Sequence, residues 1–350
     1  MKIKVLKFGG TSVGSVEAIK RSASIICDWS KKSKVIVVLS AMSGETDRLI
    51  NLTKSFSKSP NPVDFDNAIS TGENLSCALM SIYLNNQKTK SKSLHSWQIP
   101  IMTSSEHMKS RILSINKNFL LNELENLDVL VVPGFQGINE RREITTLGRG
   151  GSDTSAVAVA AAMDAECIIY TDVEGVFTTD PNIVPNAKKI NKISYEEMLE
   201  LASQGAKVLQ TRSVELAMRK NTKLSVRSSL KPKKIGTIIT DEKSVLEKNT
   251  VSGIAYTKDE AKITLSRVLD KPGVSSKIFG PLAKGNINVD MILQNISQDG
   301  KFANLSFTLP RADLEKALKI LKKDKSKIGY KKIISSNNIS KISVVGVGMR

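Results

Sequence analysis

Aromatic residues, cysteines and long apolar runs are scarce in this 350-residue sequence. Only 5% of the residues are aromatic, which argues against the stacking platforms that bind single-stranded nucleic acid. The three cysteines form no Cys-x-x-Cys pair, so zinc and redox motifs are not predicted, and their sparse, odd number is typical of a reducing cytoplasm. No apolar run reaches the roughly 18 residues that span a bilayer, and residues 1–8 begin as a strand rather than a signal peptide. We therefore expect a cytoplasmic protein without a membrane segment.

Positive charge is present in excess, with a formal net charge of +18 at pH 7. Such a charge is compatible with binding to nucleic acid or to an anionic membrane. The lysines are nevertheless spread along the chain, with only loose clusters near residues 86–92, 231–234 and 322–332. Spread lysines are typical of a solvated surface, and a polyanionic small substrate would also suit a basic protein. We therefore expect a small-molecule substrate and neither a nucleic-acid nor a membrane partner.

Strands and helices alternate through residue 228, which predicts an α/β fold with a mostly parallel sheet sandwiched by helices. The predicted strands are residues 3–8, 34–39, 128–133, 167–170 and 224–228. The predicted helices include residues 16–30, 46–56, 75–84 and 195–201, and one that follows the Gly-rich turn near residue 150. We expect a loop at 57–64, strands and loops over 85–118, and a hairpin or flap at 139–146.

The pattern changes in the last third of the chain. Residues 1–229 form the predicted catalytic domain, and the Lys-, Pro- and Gly-rich residues 230–250 are interpreted as a linker. Beyond them a β-α-β-β-α order predicts a small α+β, ferredoxin-like domain at 251–340, and residues 341–350 resemble the start of a second such unit. The elements expected there are strands at 262–268, 288–294 and 302–309 and helices at 272–283 and 312–322.

The first strand leads directly into Gly9 and Gly10, and a helix follows. A strand, a glycine loop and a helix form the geometry that cradles phosphates on backbone N–H groups. Lys7, on the strand, could reach over this loop as a point charge. No GxxxxGK[ST] sequence is present, so the loop is not a P-loop. A plain turn with a surface lysine is the alternative interpretation.

A second Gly-rich turn, residues 147–153, carries Arg149 and Asp153 and opens into an Ala-rich helix. The helix N-terminus favours an anion, and the guanidinium fork of Arg149 matches a carboxylate or a phosphate. Asp153 would repel such an anion unless it orients a lysine or a metal ion. Ser152 or Asp153 is expected to cap the helix. The alternative is an ordinary capped helix after a glycine turn.

Three further groups of polar residues stand at predicted strand ends or helix starts. Ser40 and Gly44 follow the strand at 34–39, where ligands bind in open α/β sheets. Glu73 lies in the first turn of a helix, where the helix dipole favours a carboxylate regardless of function. The alternative is that Glu73 pairs with a substrate ammonium. Asp172 and Asp180 lie in a loop of the kind that lines nucleotide sites. The two histidines, His95 and His107, have no recognisable partners and are interpreted as structural or surface residues.

Six motifs in this order resemble those of the aspartokinase family, within the amino-acid kinase superfamily, and the resemblance covers essentially the whole chain. They are Lys7-Phe-Gly-Gly-Thr-Ser, Val38-Leu-Ser-Ala-Met, Thr71-Gly-Glu, Thr146-Leu-Gly-Arg-Gly-Gly-Ser-Asp-Thr, Thr171-Asp-Val-Glu-Gly-Val-Phe-Thr-Thr-Asp-Pro and Gly205-Ala-Lys-Val-Leu. A later segment, residues 269–295, resembles the regulatory ACT domain of that family.

This resemblance implies transfer of the ATP γ-phosphoryl group to the side-chain carboxylate of L-aspartate, the first step toward lysine (through diaminopimelate), threonine and methionine. By matching positions, Lys7 would bridge the transferring group and Asp153 would hold Lys7 in place. The substrate-binding residues so implied are Ser40, Thr46, Glu73, Arg149, Gly150, Gly151 and Ser152. The implied ATP-binding residues are Lys7, Phe8, Gly9, Gly10, Thr171, Asp172, Phe177, Asp180 and Lys207. Mg²⁺ is expected with ATP, and no metal-ligating residue is assigned.

The resemblance also implies regulation, because in this family a pair of ACT units binds lysine or threonine. Positions that match effector contacts are Asp270, Asp290, Gln294 and Asn295. Pairing of such units implies a homo-oligomer. One departure concerns the nucleotide, because this chain has Asn182 where the family commonly has arginine, and we expect weaker ATP affinity from the missing cation.

Two other functions remain as alternatives to an aspartate kinase. A sibling enzyme could phosphorylate another carboxylate or a carbamate, although the ACT-like segment and Thr71-Gly-Glu argue against it. A truncated, non-catalytic homologue could instead act as a ligand-binding or regulatory protein. The presence together of Lys7, Glu73, Arg149 and Asp153 favours the enzyme.

Overall fold

The computed structural model describes residues 2–99, 101–206, 208–241, 251–297 and 301–346. These residues belong to two compact units. The larger unit comprises Met1–Ala255 with Val344–Arg350, and the smaller one comprises Tyr256–Ser343.

The larger unit is built on an eight-stranded sheet. In chain order its strands are β1 (Ile3–Phe8), β2 (Lys34–Leu39), β3 (Ser91–Ser93), β6 (Val129–Pro133), β9 (Glu166–Thr171), β10 (Lys192–Ser194), β11 (Leu224–Ser228) and β12 (Thr237–Thr240). Across the sheet they follow the order β10-β12-β11-β9-β1-β2-β6-β3. Neighbouring strands are parallel except β11 and β12, which are antiparallel. The α/β architecture predicted from the sequence is thereby confirmed.

Helices cover both faces of this sheet, as continuous β-branched strands such as β2 require. The helices of the unit are α1 (Val16–Ser30), α2 (Glu45–Phe56), α3 (Pro62–Ile69), α4 (Thr71–Asn86), α5 (Lys117–Glu125), α6 (Gly151–Ala162), α7 (Tyr195–Ser203) and α8 (Thr211–Lys220). Buried residues of α1 and α4 pack on one face, and those of α5, α6, α7 and α8 pack on the other.

Alternation along β1 sends its side chains to the two faces in turn. Leu6 and Phe8 lie in the core beside α1 and α4, whereas Val5 lies in the core beside α6. Lys7 lies two residues after Val5, so its side chain points to the same face of the sheet, where α6 begins. The register of β1 therefore brings a lysine to the first turn of that helix.

A second sheet of this unit contains four short strands. They are β4 (Ile101–Thr103), β5 (Ile112–Ile115), β7 (Gln136–Ile138) and β8 (Ile144–Thr146), and they follow the order β5-β4-β7-β8. Strands β7 and β8 are antiparallel, so the hairpin expected at 139–146 is present with its turn between them. β8 ends immediately before the Gly-rich turn and connects this small sheet to the start of α6.

Three expectations about this unit are wrong in detail. The loop expected at 57–64 contains the start of α3, where Asn61 caps the helix and Pro62 occupies its first turn, a favoured proline position. Helix α5 begins at Lys117, inside the region expected to hold only strands and loops. Residues 237–240, placed in the linker, form β12 and pair with β10 and β11. The Ile-Ile pair of β12 supplies this strand signal, with Ile239 fully buried.

The smaller unit has a four-stranded sheet with helices on one face. Its elements are β13 (Gly253–Leu269), α9 (Val274–Lys284), β14 (Ile292–Ile296), β15 (Phe302–Pro310), α10 (Leu314–Lys323), α11 (Lys325–Ile328) and β16 (Lys332–Val345). The strand order is β14-β15-β13-β16. This is the predicted small α+β domain. Residues 341–345, expected to begin a second unit, continue the last strand of this sheet.

None of the helices within the described ranges combines the length and the hydropathy that crossing a bilayer requires. Cys27, Cys77 and Cys167 are all free thiols.

Gly134 provides a test of how β6 and α6 pack together. A Cβ atom added there would lie 2.8 Å from Ser152 Cβ and 2.9 Å from Ser152 Cα. We expect Gly134→Ala to lower the free energy of unfolding by about 1–3 kcal/mol, because an extra methyl group must displace the start of α6. The measurement is urea unfolding followed by circular dichroism.

Asn51→Ala is the control, since Asn51 is an exposed residue in the interior of α2. It should leave the unfolding free energy unchanged or raise it by about 0.5 kcal/mol, because alanine has the higher helix propensity. An unfolding midpoint for Gly134→Ala that equals that of the unaltered protein would contradict the packing described here.

Candidate active site

A cleft of about 390 Å³ lies at the carboxyl ends of β1 and β2, between the starts of α2, α4 and α6. Open α/β sheets bind ligands at this edge. The cleft brings together most of the predicted catalytic and substrate-binding residues: Lys7, Gly10, Ser40, Thr46, Glu73, Arg149, Gly150, Gly151, Ser152 and Asp153. Because these residues come from four separate segments of the chain, their convergence is a property of the fold.

The ammonium of Lys7 is paired with the carboxylate of Asp153. Lys7 Nζ lies 2.6 Å from Asp153 Oδ1, and the two side chains are only 12% and 11% exposed. The same ammonium lies beside Gly9, where an added Cβ atom would be 3.4 Å from Nζ. Gly10 packs against the turn after β2, because a Cβ atom added to it would lie 3.0 Å from the Ala41 carbonyl oxygen. The lysine thus lies over the glycine loop, as the sequence predicts.

Helix α6 begins at Gly151 with Gly150 as its N-cap residue, so the expectation that Ser152 or Asp153 caps it is wrong. Gly148 and Gly150 have φ values of +75° and +74°, which favour glycine. A Cβ atom at position 150 would also lie 2.0 Å from Gln210 Cγ. Within the described chain no side chain caps this helix, and the Gly151 N–H donates to the Gly148 carbonyl over 3.0 Å. The first turn of α6 lines the cleft, so the positive end of the helix dipole favours an anionic ligand there.

Arg149 lies between these two glycines and lines the cleft. It is exposed, and no ion pair holds its guanidinium among the residues that the structure describes. A guanidinium in this state presents its planar fork to a ligand carboxylate. The position of Arg149 depends on the backbone on either side of it.

Glu73 occupies the first turn of α4 and is 3% exposed. The Ala41 N–H donates to Oε1 over 3.2 Å, whereas Oε2 has no hydrogen-bond partner in the described part of the molecule. Burial raises the pKa of this carboxyl to about 8, and the Ala41 hydrogen bond opposes that shift. An unpartnered carboxyl oxygen in a cleft is suited to a cationic group of a ligand.

The predicted nucleotide-binding residues lie at the end of β9, beside β1 in the sheet. Thr171 Oγ1 donates to Asp172 Oδ1 over 3.0 Å, Phe177 forms a β-bridge with Lys189, and Asp180 Oδ1 accepts from the Asn182 N–H over 2.9 Å. None of these four predicted residues lines the cleft described above. Lys207 lies outside the described residues.

Phe8, also predicted to contact the nucleotide, is fully buried. Its ring stacks on Tyr170 with 4.9 Å between centroids. Its side chain therefore packs in the core, and only its backbone lies at the glycine loop, where its carbonyl accepts from the Ser40 N–H over 3.2 Å.

The four predicted effector contacts are exposed residues of the smaller unit. Gln294 Nε2 donates to Asp270 Oδ1 over 3.0 Å, so these two are brought together. Asp290 instead forms an ion pair with Lys341. Asn295 follows Gln294 on β14 and lines a separate cavity with Arg267.

Sequence reasoning missed several residues around the cleft. Asp47, Phe135 and Gln210 line it, although no motif points to them. Asp47 is next to the predicted Thr46 on the first turn of α2, which is a signal that could have identified it. Phe135 and Gln210 are found only through the fold.

The described residues contain no group of three or more His, Cys, Asp and Glu side chains arranged to hold a metal ion. The carboxylate beside the glycine loop, that of Asp153, is paired with Lys7. Mg²⁺ usually keeps several waters and binds through substrate phosphates with one or two carboxylates. This donor set therefore fits a metal that arrives with a nucleotide rather than one in a dedicated protein site.

Comparisons with known proteins identify the family of the chain. Residues 2–228 match the model of the amino acid kinase family, and residues 266–324 match an ACT domain. The chain is 48% identical to an aspartate kinase of Pseudomonas putida over 353 residues, covering all of this chain and 85% of the relative. It is 46% identical over 352 residues to an aspartokinase of Helicobacter pylori, covering 99% of this chain and 86% of the relative.

Solved structures give the same result for the fold. E. coli aspartokinase III in complex with aspartate and ADP matches with a TM-score of 0.80 and 24% identity, covering 99% of this chain and 88% of that one. The aspartate kinase of Synechocystis matches with a TM-score of 0.61 and 39% identity, covering 100% of this chain and 61% of that one. The resemblance drawn from the six motifs is confirmed. The chain therefore belongs to the amino acid kinase family and, within it, to the aspartate kinases, which are phosphotransferases.

Proposed function

We propose that this chain transfers the γ-phosphoryl group of ATP to the side-chain carboxylate of L-aspartate, giving ADP and 4-phospho-L-aspartate. The observation that carries the proposal is the charge pattern of the cleft, where Arg149, Lys7 and the unpartnered oxygen of Glu73 converge. Aspartate has two carboxylates and one ammonium, which are the groups that these three side chains complement. The names of the relatives at 46–48% identity support the same substrate.

Recognition of the acceptor is assigned to Arg149 and Glu73, which line the same cleft as Lys7. Arg149 binds the α-carboxylate of aspartate, and Glu73 accepts hydrogen bonds from its ammonium. Ser40, Ser152 and Thr46, which line the same cleft, supply further hydrogen bonds. With its α-carboxylate and its ammonium both held, the substrate directs its side-chain carboxylate toward Lys7.

Phosphoryl transfer to a carboxylate needs no general base, because the nucleophile is already ionised at neutral pH. The residues must therefore position the two reactants and neutralise charge on the transferring group. Lys7 bridges that group, and the N–H groups of Gly9 and Gly10 lie beside it. Asp153 keeps the Lys7 ammonium over the loop.

The nucleotide is assigned to the loops at the end of β9, through Thr171, Asp172, Phe177, Asp180 and Lys207. Mg²⁺ held by the triphosphate would neutralise phosphate charge when bound. An amino-acid effector, lysine or threonine, and a homo-oligomeric state belong to the same proposal for the smaller unit, with Asp270 and Gln294 as the contacting pair.

Trapping the acyl phosphate with hydroxylamine tests the proposal directly. With Mg-ATP and aspartate we expect aspartyl hydroxamate to accumulate together with an equal amount of ADP. Lys7→Ala should lower the rate by about 10²–10³-fold, because a preorganised charge at the transferring group is lost. The measurement is colorimetric hydroxamate formation over time.

A panel of other acceptors, including glutamate and carbamate, serves as the control for substrate class. Hydroxamate or ADP formed equally well without aspartate would contradict the proposal and favour a sibling kinase. Folded protein that binds aspartate without any turnover would instead favour the binding role.

The raised pKa of Glu73 predicts a pH dependence of aspartate binding. With a pKa of about 8, the carboxyl of the empty cleft is protonated below that value, and only about one tenth is ionised at pH 7. The ammonium of aspartate requires the ionised form, so kcat/KM for aspartate should rise about tenfold per pH unit from pH 6 to 7 and level off above about 8. Steady-state kinetics at saturating Mg-ATP measure this profile.

Glu73→Gln is the control, since its amide does not titrate. We expect this variant to have a higher KM for aspartate and a kcat/KM that stays flat over the same pH range. A pH slope that persists in Glu73→Gln would assign the titration to another group.

A further inference from the structure

We propose that His107 and Asp66 are positioning residues for Arg149, holding the short backbone arm of residues 144–148 from which Arg149 reaches the substrate. This inference rests on the proposed function and adds two residues to it. Neither of them lines the cleft, so any effect on catalysis must pass through the arm. His107 and Asp66 lie 41 residues apart in the sequence.

Asp66, on α3, is fully buried and accepts four hydrogen bonds on one carboxylate. Oδ2 accepts from the Thr146 N–H over 3.0 Å, the Met108 N–H over 3.1 Å and His107 Nδ1 over 2.8 Å. Oδ1 accepts from Thr146 Oγ1 over 2.6 Å. A buried carboxylate is stable only with such a complete set of donors. It therefore ties Thr146, at the end of β8, to residues 107–108.

His107 lies between two carboxylates. Oδ2 of Asp66 already accepts from two backbone N–H groups, so we assign His107 Nδ1 as the donor of the third hydrogen bond to this oxygen. On the other side, His107 Nε2 lies 3.5 Å from Glu143 Oε2, and that same oxygen accepts from Asn139 Nδ2 over 2.7 Å. The imidazole is 13% exposed. It thus links α3 to the turn between β7 and β8, at the other end of the arm from Arg149.

The residues between Thr146 and Arg149 are held by the same group of contacts. Arg212 donates to the Leu147 carbonyl over 2.7 Å and to the Ser110 carbonyl over 3.1 Å. At Gly148, a Cβ atom would lie 2.8 Å from the Met108 carbonyl oxygen, so residues 108 and 148 are in close contact.

The conformation of Met108 is further support for a constrained contact. Its φ is +66°, in the left-handed region that side-chain-bearing residues rarely adopt. Such a conformation costs of order 1–3 kcal/mol and persists only where the surroundings require it. Here the Met108 N–H is held by Asp66 and its carbonyl abuts Gly148.

Arg149 has no ion pair of its own among the described residues, so the arm sets the backbone position from which its guanidinium extends into the cleft. A displacement of about 1 Å at a substrate-positioning group is enough to reduce catalysis strongly. Loosening the arm should therefore weaken aspartate binding while leaving the nucleotide loops, on the other side of β1, unchanged.

Three substitutions separate this role from a general effect on stability. His107→Ala removes the donor to Asp66. His107→Asn places an amide N–H where Nδ1 lies and preserves that donor, whereas His107→Gln places its amide near the position of Nε2. His95→Ala is the matched control, because the only other histidine is exposed and stacks on Trp97 away from the cleft.

We expect the KM for aspartate to rise about tenfold in His107→Ala and His107→Gln, with kcat and the KM for ATP within about twofold of the unaltered enzyme. His107→Asn should restore the KM for aspartate to within about threefold, and His95→Ala should change nothing. Arg149→Lys, which replaces the guanidinium by an ammonium, should also raise the KM for aspartate.

Hydrogen exchange measured by mass spectrometry gives a readout that needs no substrate. Peptides that cover residues 144–149 should exchange about tenfold faster in His107→Ala, because the Thr146 N–H loses part of its anchor, and peptides from α1 should be unchanged. This result is independent of whether aspartate is the acceptor, so failure of the proposed function and failure of the arm are distinguishable.

Two outcomes would overturn the inference. One is unaltered exchange of residues 144–149 in His107→Ala. The other is faster exchange with an unchanged KM for aspartate in an enzyme that turns aspartate over. If His107→Ala does not fold, the comparison of His107→Asn with His107→Gln decides, and equal KM values for these two would contradict the proposal.

Discussion

The ion pair between Lys7 and Asp153 joins the central strand of the sheet to the helix that carries the Gly-rich turn. Taking two charges out of water costs several kcal/mol for each, and only close geometry offsets that cost. Removing either partner leaves an uncompensated charge on a side chain that is only 11–12% exposed, which costs about 3–5 kcal/mol. This constraint sets the position of β1 relative to α6, and hence of the glycine loop relative to Arg149.

The charges in the cleft are only partly balanced. The Lys7 ammonium is neutralised by Asp153, and burial keeps most of Glu73 protonated at neutral pH, whereas the exposed guanidinium of Arg149 has no compensating ion pair among the described residues. Under the proposed function, the α-carboxylate of aspartate compensates Arg149, and binding of the aspartate ammonium to Glu73 releases a proton, which couples substrate affinity to pH.

The sequence predicts the sheet and the charged residues well because both depend on local patterns. The apolar runs of β2 and β6 indicate buried parallel strands, and Ser40 stands at the carboxyl end of β2. Lys7, Glu73 and Asp153 are identified because each lies at a strand end or in a first helical turn. Their convergence then follows from the strand order.

Local sequence patterns do not predict contacts between segments that are distant in the chain. The N-cap of α6 is Gly150 rather than Ser152, and Gln210, from a distant segment of the chain, lies where a side chain at position 150 would be. The helix that carries Asp66 begins at a proline, within a stretch whose serine, proline and asparagine content favours a loop. His107 has no recognisable partner in sequence because Asp66 reaches it only through the fold.

The most direct test of the central claim is a double-mutant cycle on the Lys7–Asp153 pair. The rate of phosphoryl transfer to aspartate would be measured in a single turnover for Lys7→Ala, Asp153→Asn and the double variant. If Asp153 acts by holding Lys7, the double variant should be no slower than Lys7→Ala, to within about threefold. Losses that multiply in the double variant would show that Asp153 acts independently of Lys7 and would contradict this account.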